Sequence, residues 1–402
     1  MTYLILLIFL LGVLLYALGS KRISHSVFSL PILFAALGFA VQGILPGEVN
    51  LEEHRSVILI LAEITLVMVL FSDASRIKFD GLRDYIGLPA RMLIIGMPLA
   101  IGAGTLLVYY VSPDVPWAAA ILVAAILTPT DAALGQAVVT NENVPIRLRQ
   151  TINIESGLND GFAVPVVTIA AIFTAQFYGN LDMGEENLIL FTLKQVTLGP
   201  LAGLLIGGGA AYLFNVAHER DWTERPLAGL VFVSTSLAAF AFAHLIGGNG
   251  LIAAFIAGLA FGFILKGEND ELFTFMESEG QLLTIITFFI FGALLLPLAM
   301  DHINIKTVAL AIGFLTLIRM IPIWISLIGT GLKLGEKLFL GWFGPRGLAS
   351  ILFAIIIIEE YDIPISDEIL ACVVLTVAMS IILHGVSSRP LSQMFKENKA
   401  DE

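Results

Sequence analysis

Long apolar stretches, each close to the length that crosses a bilayer, follow one another almost without interruption along this chain. They lie at 2–18, 28–45, 56–73, 86–111, 116–140, 150–176, 188–215, 226–246, 250–266, 279–299, 304–330, 336–359 and 367–388. A spanning helix needs about 20 mostly apolar residues, so the pattern predicts an all-α polytopic membrane protein with about 13 transmembrane helices. In hydrocarbon every backbone polar group must be bonded within its own segment, which leaves helices as the form such stretches can take. Composition agrees: 13% of the 402 residues are charged, against about 25% in soluble domains. The links are short, so residues 1–402 read as a single transmembrane domain. No basic leader precedes TYLILLIFLLGVLLYAL and no small-residue cleavage site follows it, so this run reads as a retained first helix rather than a signal peptide.

The positive charges assign the two sides. Of the 21 Lys and Arg residues, Lys194, Arg319 and Arg346 fall within stretches. With thirteen crossings, sixteen of the others share one side, and only Arg55 and Lys306 take the opposite one. Cytoplasmic loops carry the excess of Lys and Arg. The N-terminus is therefore expected outside and the C-terminus in the cytoplasm, in a cell (inner or plasma) membrane. The net charge of −12 offers no surface for nucleic acid. The acidic run GENDELFTFMESEG (267–280) reads as a solvated linker. One cysteine, Cys372, excludes an intramolecular disulfide and a cysteine zinc cluster. The six histidines, His218, His302 and His384 near expected helix ends among them, show no metal-ligand spacing, and no phosphate-binding loop is present. No cofactor is expected. The glycine-rich runs LLIGGGAAYL (204–213) and GNGLIAAFIAGLAFGF (248–263) suit close helix packing.

Against this apolar background, IESGLNDGFAVPVV places Glu155, Asn159 and Asp160 within one spanning stretch. Carboxylates at membrane depth are costly and mark ion or proton paths. Two other stretches are interrupted. AAILTPTDAALGQAVV has Pro129 between Thr128 and Thr130, with Asp131 next. LGWFGPRGLASILFA has Pro345 after Gly344, with Arg346 and Gly347 next. Proline removes a backbone donor and clashes with the preceding turn. The stretches around these breaks start on opposite sides of the membrane, so about 86–176 and 304–388 form an expected inverted repeat whose broken helices cross at mid-depth. Asp131 would neutralise the positive ends of the half-helices and Arg346 the negative ends.

Taken together, TPTDAAL, ESGLND, Arg319 in the eleventh stretch and GPRG in the twelfth resemble the monovalent cation:proton antiporter superfamily, in its electroneutral NhaP and sodium/proton exchanger branch. The resemblance covers nearly the whole chain. It implies an NhaA/NhaP-like fold, a homodimer, no enzymatic activity, and exchange of sodium (lithium being a further cation) for a proton. Electrogenic relatives carry two aspartates where this chain has Asn159 and Asp160, which implies one cation for one proton and no net charge moved. The resemblance also implies a Glu155–Arg319 ion pair, and a core of the two repeats moving against a scaffold.

Within that frame Asp160 is the carboxylate that holds either a proton or the cation. Ser156, one turn earlier, shares its helix face. Thr130 offers further oxygen ligands. Asn159 organises the site without titrating. Asp73, closing the third stretch, is either a fourth cation ligand or a solvated helix-end charge; Glu63, earlier in that stretch, has no assigned place. Competing readings are a potassium/proton antiporter on the same fold, a cation channel, and an intramembrane aspartyl protease using Asp131 and Asp160. The last needs a Tyr-Asp motif paired with a Gly-x-Gly-Asp motif, and no Gly-x-Gly-Asp occurs here.

Overall fold

Runs that are apolar on every side leave no polar face to turn toward water, so each closes its backbone bonds in a helix and packs on its neighbours. The computed structural model describes residues 2–23, 29–44, 51–77, 86–180, 187–224, 227–266, 270–361, 363 and 367–398, and no strand occurs among them. In chain order the helices are α1 (Thr2–Ile23), α2 (Leu30–Ile44), α3 (Leu51–Ser75), α4 (Gly87–Val111), α5 (Trp117–Ile126), α6 (Ala132–Val139), α7 (Ile146–Tyr178), α8 (Leu188–Glu219), α9 (Ala228–Leu245), α10 (Gly250–Ile264), α11 (Asp270–Ile290), α12 (Ile305–Leu315), α13 (Leu317–Ser326), α14 (Leu334–Trp342), α15 (Leu348–Glu360) and α16 (Asp367–Asn398). Eight described helices are long and apolar enough to cross a membrane, and five shorter apolar helices accompany them. Helix length thus establishes a polytopic all-α protein, while the number of crossings rests on the sequence.

The interruptions at Pro129 and Pro345 appear as the gaps between α5 and α6 and between α14 and α15. A third break was not expected. The eleventh stretch is split at Thr316 (φ −113°, ψ −88°), and its helix stops at Ser326 rather than continuing to 330. Gly329 and Gly331, both with φ near the left-handed region (+80° and +75°), turn the chain there. Arg91 of α4 satisfies the freed carbonyls, donating from Nε to Ser326 O and from Nη2 to Ile328 O, each at 2.7 Å. Two helices carry a single wider π turn, Met92–Gly96 within α4 and Phe291–Leu295 prolonging α11 to Met300.

Packing divides the helices into two sets. α4–α7 pack mainly among themselves and with α12–α16, whereas α2, α3 and α8–α11 pack together and α1 rests on α2. The sets meet where α3 lies on α7 and α15, where α10 lies on α7, and where α2 and the Leu296–Met300 end of α11 lie on α16. The second set is held by very close approach. Gly199, Gly203 and Gly207 of α8 sit one turn apart against the carbonyls of Asn249, Ala253 and Ala257 along α10, where a Cβ would collide with backbone. Within the two glycine-rich runs, Gly207 packs in this way on α10, while Gly258 and Gly262 pack on α3 against the carbonyls of Phe71 and Ser75. α1 leaves Leu7, Leu11, Leu14, Leu15 and Leu18 facing outward.

Candidate ion-binding site

The two gaps meet. A helix that stops in mid-membrane leaves donors at one end and acceptors at the other, and these must find partners. Asp131 N donates to Pro345 O at 2.8 Å, joining the gaps backbone to backbone. The Asp131 carboxylate then serves two helix starts: Oδ1 accepts from Leu134 N of α6 (3.1 Å) and Oδ2 from Leu348 N of α15 (2.7 Å). Gly347 is required beside it, since a Cβ there would overlap this carboxylate. Arg346, fully buried, donates from Nη1 to the carbonyls of Thr128 and Pro129, the latter at 3.0 Å, where α5 has ended. Ser350 Oγ adds a bond to Ile126 O at 2.7 Å. Negative charge therefore lies at the N-terminal ends of the half-helices and positive charge at the C-terminal end of α5, which is the favourable sense of the helix dipoles.

Beside the crossing runs α7, whose buried face carries Glu155, Ser156, Asn159 and Asp160. Thr130, in the first gap, is the hub. Its Oγ1 donates to Glu155 Oε2 (3.2 Å), lies 3.1 Å from Ser156 Oγ and accepts from Asn159 Nδ2 (2.5 Å). Asn159 Nδ2 also reaches Glu155 Oε1 at 3.3 Å. Arg319 of α13 closes on Glu155 with both arms, Nη1 to Oε1 at 2.8 Å and Nη2 to Oε2 at 3.0 Å. Both side chains of this pair are at most 4% exposed. Arg319 lies flat on Gly344, where a Cβ would strike its guanidinium. The second break in the chain thus makes room for the cation that neutralises Glu155.

Asp160 is treated differently. Its Oδ1 is buried and accepts no hydrogen bond among the described residues, and the same is true of Asn159 Oδ1. The charges of Asp73, Asp131 and Glu155 all bear on it. Asp73 comes from α3, whose backbone at that residue passes beside Gly157 of α7, and it is partly exposed. Glu63 lies ten residues earlier on α3, about 15 Å along the helix axis and away from the site. All nine residues singled out from sequence, Asp73, Thr130, Asp131, Glu155, Ser156, Asn159, Asp160, Arg319 and Arg346, therefore fall around one crossing. Sequence reasoning missed Ser350, Ser380 and His384. His384 was placed near a helix end, but α16 continues well past it and its ring is 1% exposed. The signal available was a serine and a histidine four apart in an apolar helix.

Residues 4–394 match the family model described as "Sodium/hydrogen exchanger, transmembrane". The chain belongs to the sodium/hydrogen exchanger family. Among curated relatives in this family, it is 25% identical over 354 residues to the K(+)/H(+) antiporter NhaP2 of Shewanella sp. strain MR-4, an alignment covering 86% of this chain and 60% of the relative. It is 24% identical over 321 residues to Na(+)/H(+) antiporter 2 of Zygosaccharomyces rouxii, covering 70% and 39%. The sodium/hydrogen exchanger fold is shared with the sodium proton antiporter MjNhaP1 of Methanocaldococcus jannaschii, with a TM-score of 0.76 over 98% of this chain and 97% of that one at 19% identity. The membership makes it a multi-pass membrane protein, and the chain spans about 60% of the length of the NhaP2 relatives it matches.

Proposed function

We propose that this chain is a secondary antiporter that exchanges sodium for protons, with Asp160 holding one or the other in turn. The observation that carries this reading is a division of labour among the buried acids. Asp131 is occupied by two helix N-termini and Glu155 by Arg319, whereas Asp160 keeps a buried oxygen without a donor. A buried carboxylate without a donor is costly. It is relieved by a proton or by a small cation, and a single oxygen site cannot hold both at once. Ser156 and Thr130, with hydroxyls 3.1 Å apart, are the proposed oxygen partners of the cation. Asp73 is the proposed fourth ligand, on the approach to Asp160. Asn159, Asp131 and Arg346 organise the broken backbone, and the Glu155–Arg319 pair joins α7 to α13.

The charge count supports electroneutral exchange. Asp160 with a proton and Asp160 with a monovalent cation carry the same net charge, and its neighbour Asn159 is an amide that adds no second titration. A protease using Asp131 and Asp160 is disfavoured, because both Asp131 oxygens already accept backbone bonds. The name of the Shewanella relative keeps potassium as a second cation, since nothing in a carboxylate with two hydroxyls excludes the larger ion. The repeat units about 86–176 and 304–388 would move as a core against α1–α3 and α8–α11. The outward leucines of α1 support a homodimer through that helix, and a single-chain mass in native mass spectrometry would remove it. The loop charges support an external N-terminus, which external labelling of a cysteine placed after residue 398 would reverse.

Dye-monitored proton flux in proteoliposomes tests the central reading, with sodium, lithium, potassium or choline added and the membrane potential clamped or free. Sodium-driven flux indifferent to potential and lost in Asp160→Asn is expected. Normal flux in Asp160→Asn would sink the assignment.

A further inference from the structure

The segment between α14 and α15 is outside any helical ladder, and a good part of what holds it comes from α16. Arg346 N donates to Ser380 Oγ at 2.6 Å. Trp342 O, the last carbonyl of α14, lies 2.9 Å from His384 Nε2, and the Trp342 indole donates to Ser387 Oγ at 2.9 Å. Ser380, His384 and Ser387 stand at i, i+4 and i+7 of α16, so they form one polar face on a helix that is otherwise apolar there. The imidazole rests on the indole, with ring centroids 5.1 Å apart. Ser380 and His384 are fully buried.

Proton positions follow from the partners. A carbonyl only accepts, so Nε2 carries the hydrogen and donates to Trp342 O. On the other edge, Nδ1 faces Ser380 Oγ at 3.1 Å and Ser380 O at 2.9 Å. In the neutral ring it therefore accepts from the Ser380 hydroxyl, whose oxygen in turn accepts from Arg346 N.

We propose that His384 is a positioning residue for ion exchange. Its ring fastens the end of α14 to α16 and, through Ser380, fixes the backbone at Arg346, so that the Arg346 side chain stays on the Thr128 and Pro129 carbonyls next to Thr130. The route from His384 to the ion site is continuous: ring, Ser380, Arg346, the Thr128–Pro129 carbonyls, Thr130, Ser156. The inference deepens the antiport reading and rests on it.

Three purified variants test it, His384→Leu, His384→Gln and Ser380→Ala. Two readouts are taken in parallel, the sodium concentration giving half-maximal proton flux and the amide hydrogen exchange of residues 342–348. Glutamine supplies an N–H donor where Nε2 stands; leucine does not. His384→Leu is expected to raise the half-saturating sodium by about fivefold, the worth of one hydrogen bond, and to speed exchange in 342–348. His384→Gln is expected to restore both, and Ser380→Ala to speed exchange as leucine does. Leucine behaving as wild type overturns the proposal, and so does glutamine behaving as leucine, since ring packing alone would then matter. If wild type shows no cation-driven flux, the antiport reading fails and the exchange data alone decide the latch. If the leucine variant does not fold, unchanged exchange in Ser380→Ala still overturns it.

Discussion

Both oxygens of Glu155 are taken by Arg319, and each also receives a weaker bond, from Thr130 or Asn159. A buried pair this fully satisfied contributes little net stability over a hydrophobic substitute, but removing one partner strands the other and costs about 3–5 kcal/mol. Glu155→Leu should therefore lower the melting temperature in detergent sharply, because the Arg319 guanidinium remains buried against Gly344. Arg319→Leu should do the same through Glu155. The double variant is expected to recover much of the loss. Recovery of stability without recovery of sodium-driven flux would separate the pair's structural role from its part in shaping Thr130 and Asn159. Equal and additive losses in the double variant would mean the two side chains are not energetically coupled. The same local logic explains why Asn159 is an amide. Its Nδ2 donates to Thr130 and Glu155 at once, and a carboxylate in that place would set an acceptor against an acceptor.

At the scale of elements, the α8–α10 contact demands exact spacing. A Cβ at Gly203 would come within 2.9 Å of Ala257 N and of Ile256 Cβ, whereas a Cβ at Gly209, on the same helix, meets nothing within 4 Å. Gly203→Val should cost about 1–3 kcal/mol by overpacking, and Gly209→Val should be near neutral, read as thermal stability by fluorescence-detected size exclusion. Equal effects would show that α8 and α10 can part without penalty. The elements also show where sequence is informative. Pro129 and Pro345 announce their breaks because proline cannot donate or continue a ladder. Thr316 announces nothing, since its break depends on what α12 and α13 each pack against. The acids within α7 stand out because charge in an apolar run is rare. How each buried acid is satisfied depends on residues far away in sequence, Arg319 for Glu155 of α7 and Leu348 N for Asp131 of the first gap. Thr130 was legible as a polar group near a break, but not as the hub joining three side chains, Glu155, Ser156 and Asn159. Ser380 and His384 were passed over because an isolated serine or histidine in an apolar helix most often bonds its own backbone.

Across the whole molecule, the proposed exchange would have the set holding Asp160 shift against the set holding α3 and α10, and one contact between them is tight. Phe255 of α10 lies on Gly161, the residue after Asp160, and a Cβ at Gly161 would overlap its ring. Phe255 also meets Phe162 edge-on, with centroids 6.0 Å apart. A turn or more away, Asn249 Nδ2 donates to Thr168 Oγ1 at 3.2 Å, so the same two helices share one apolar and one polar contact. An aromatic ring pressed on a glycine beside the proposed ion carboxylate would exclude water from that flank while leaving a smooth surface for sliding. Gly161→Ala should force α7 and α10 apart and reduce sodium-driven flux, with the protein still monodisperse. Adding Phe255→Ala removes the ring that the new methyl meets, and should restore flux toward wild type. Phe255→Ala alone opens that flank and should let protons pass without sodium. The coupling of the two substitutions decides the matter: if their effects on flux simply add, Phe255 and Gly161 do not act as one surface, and access to Asp160 is controlled elsewhere.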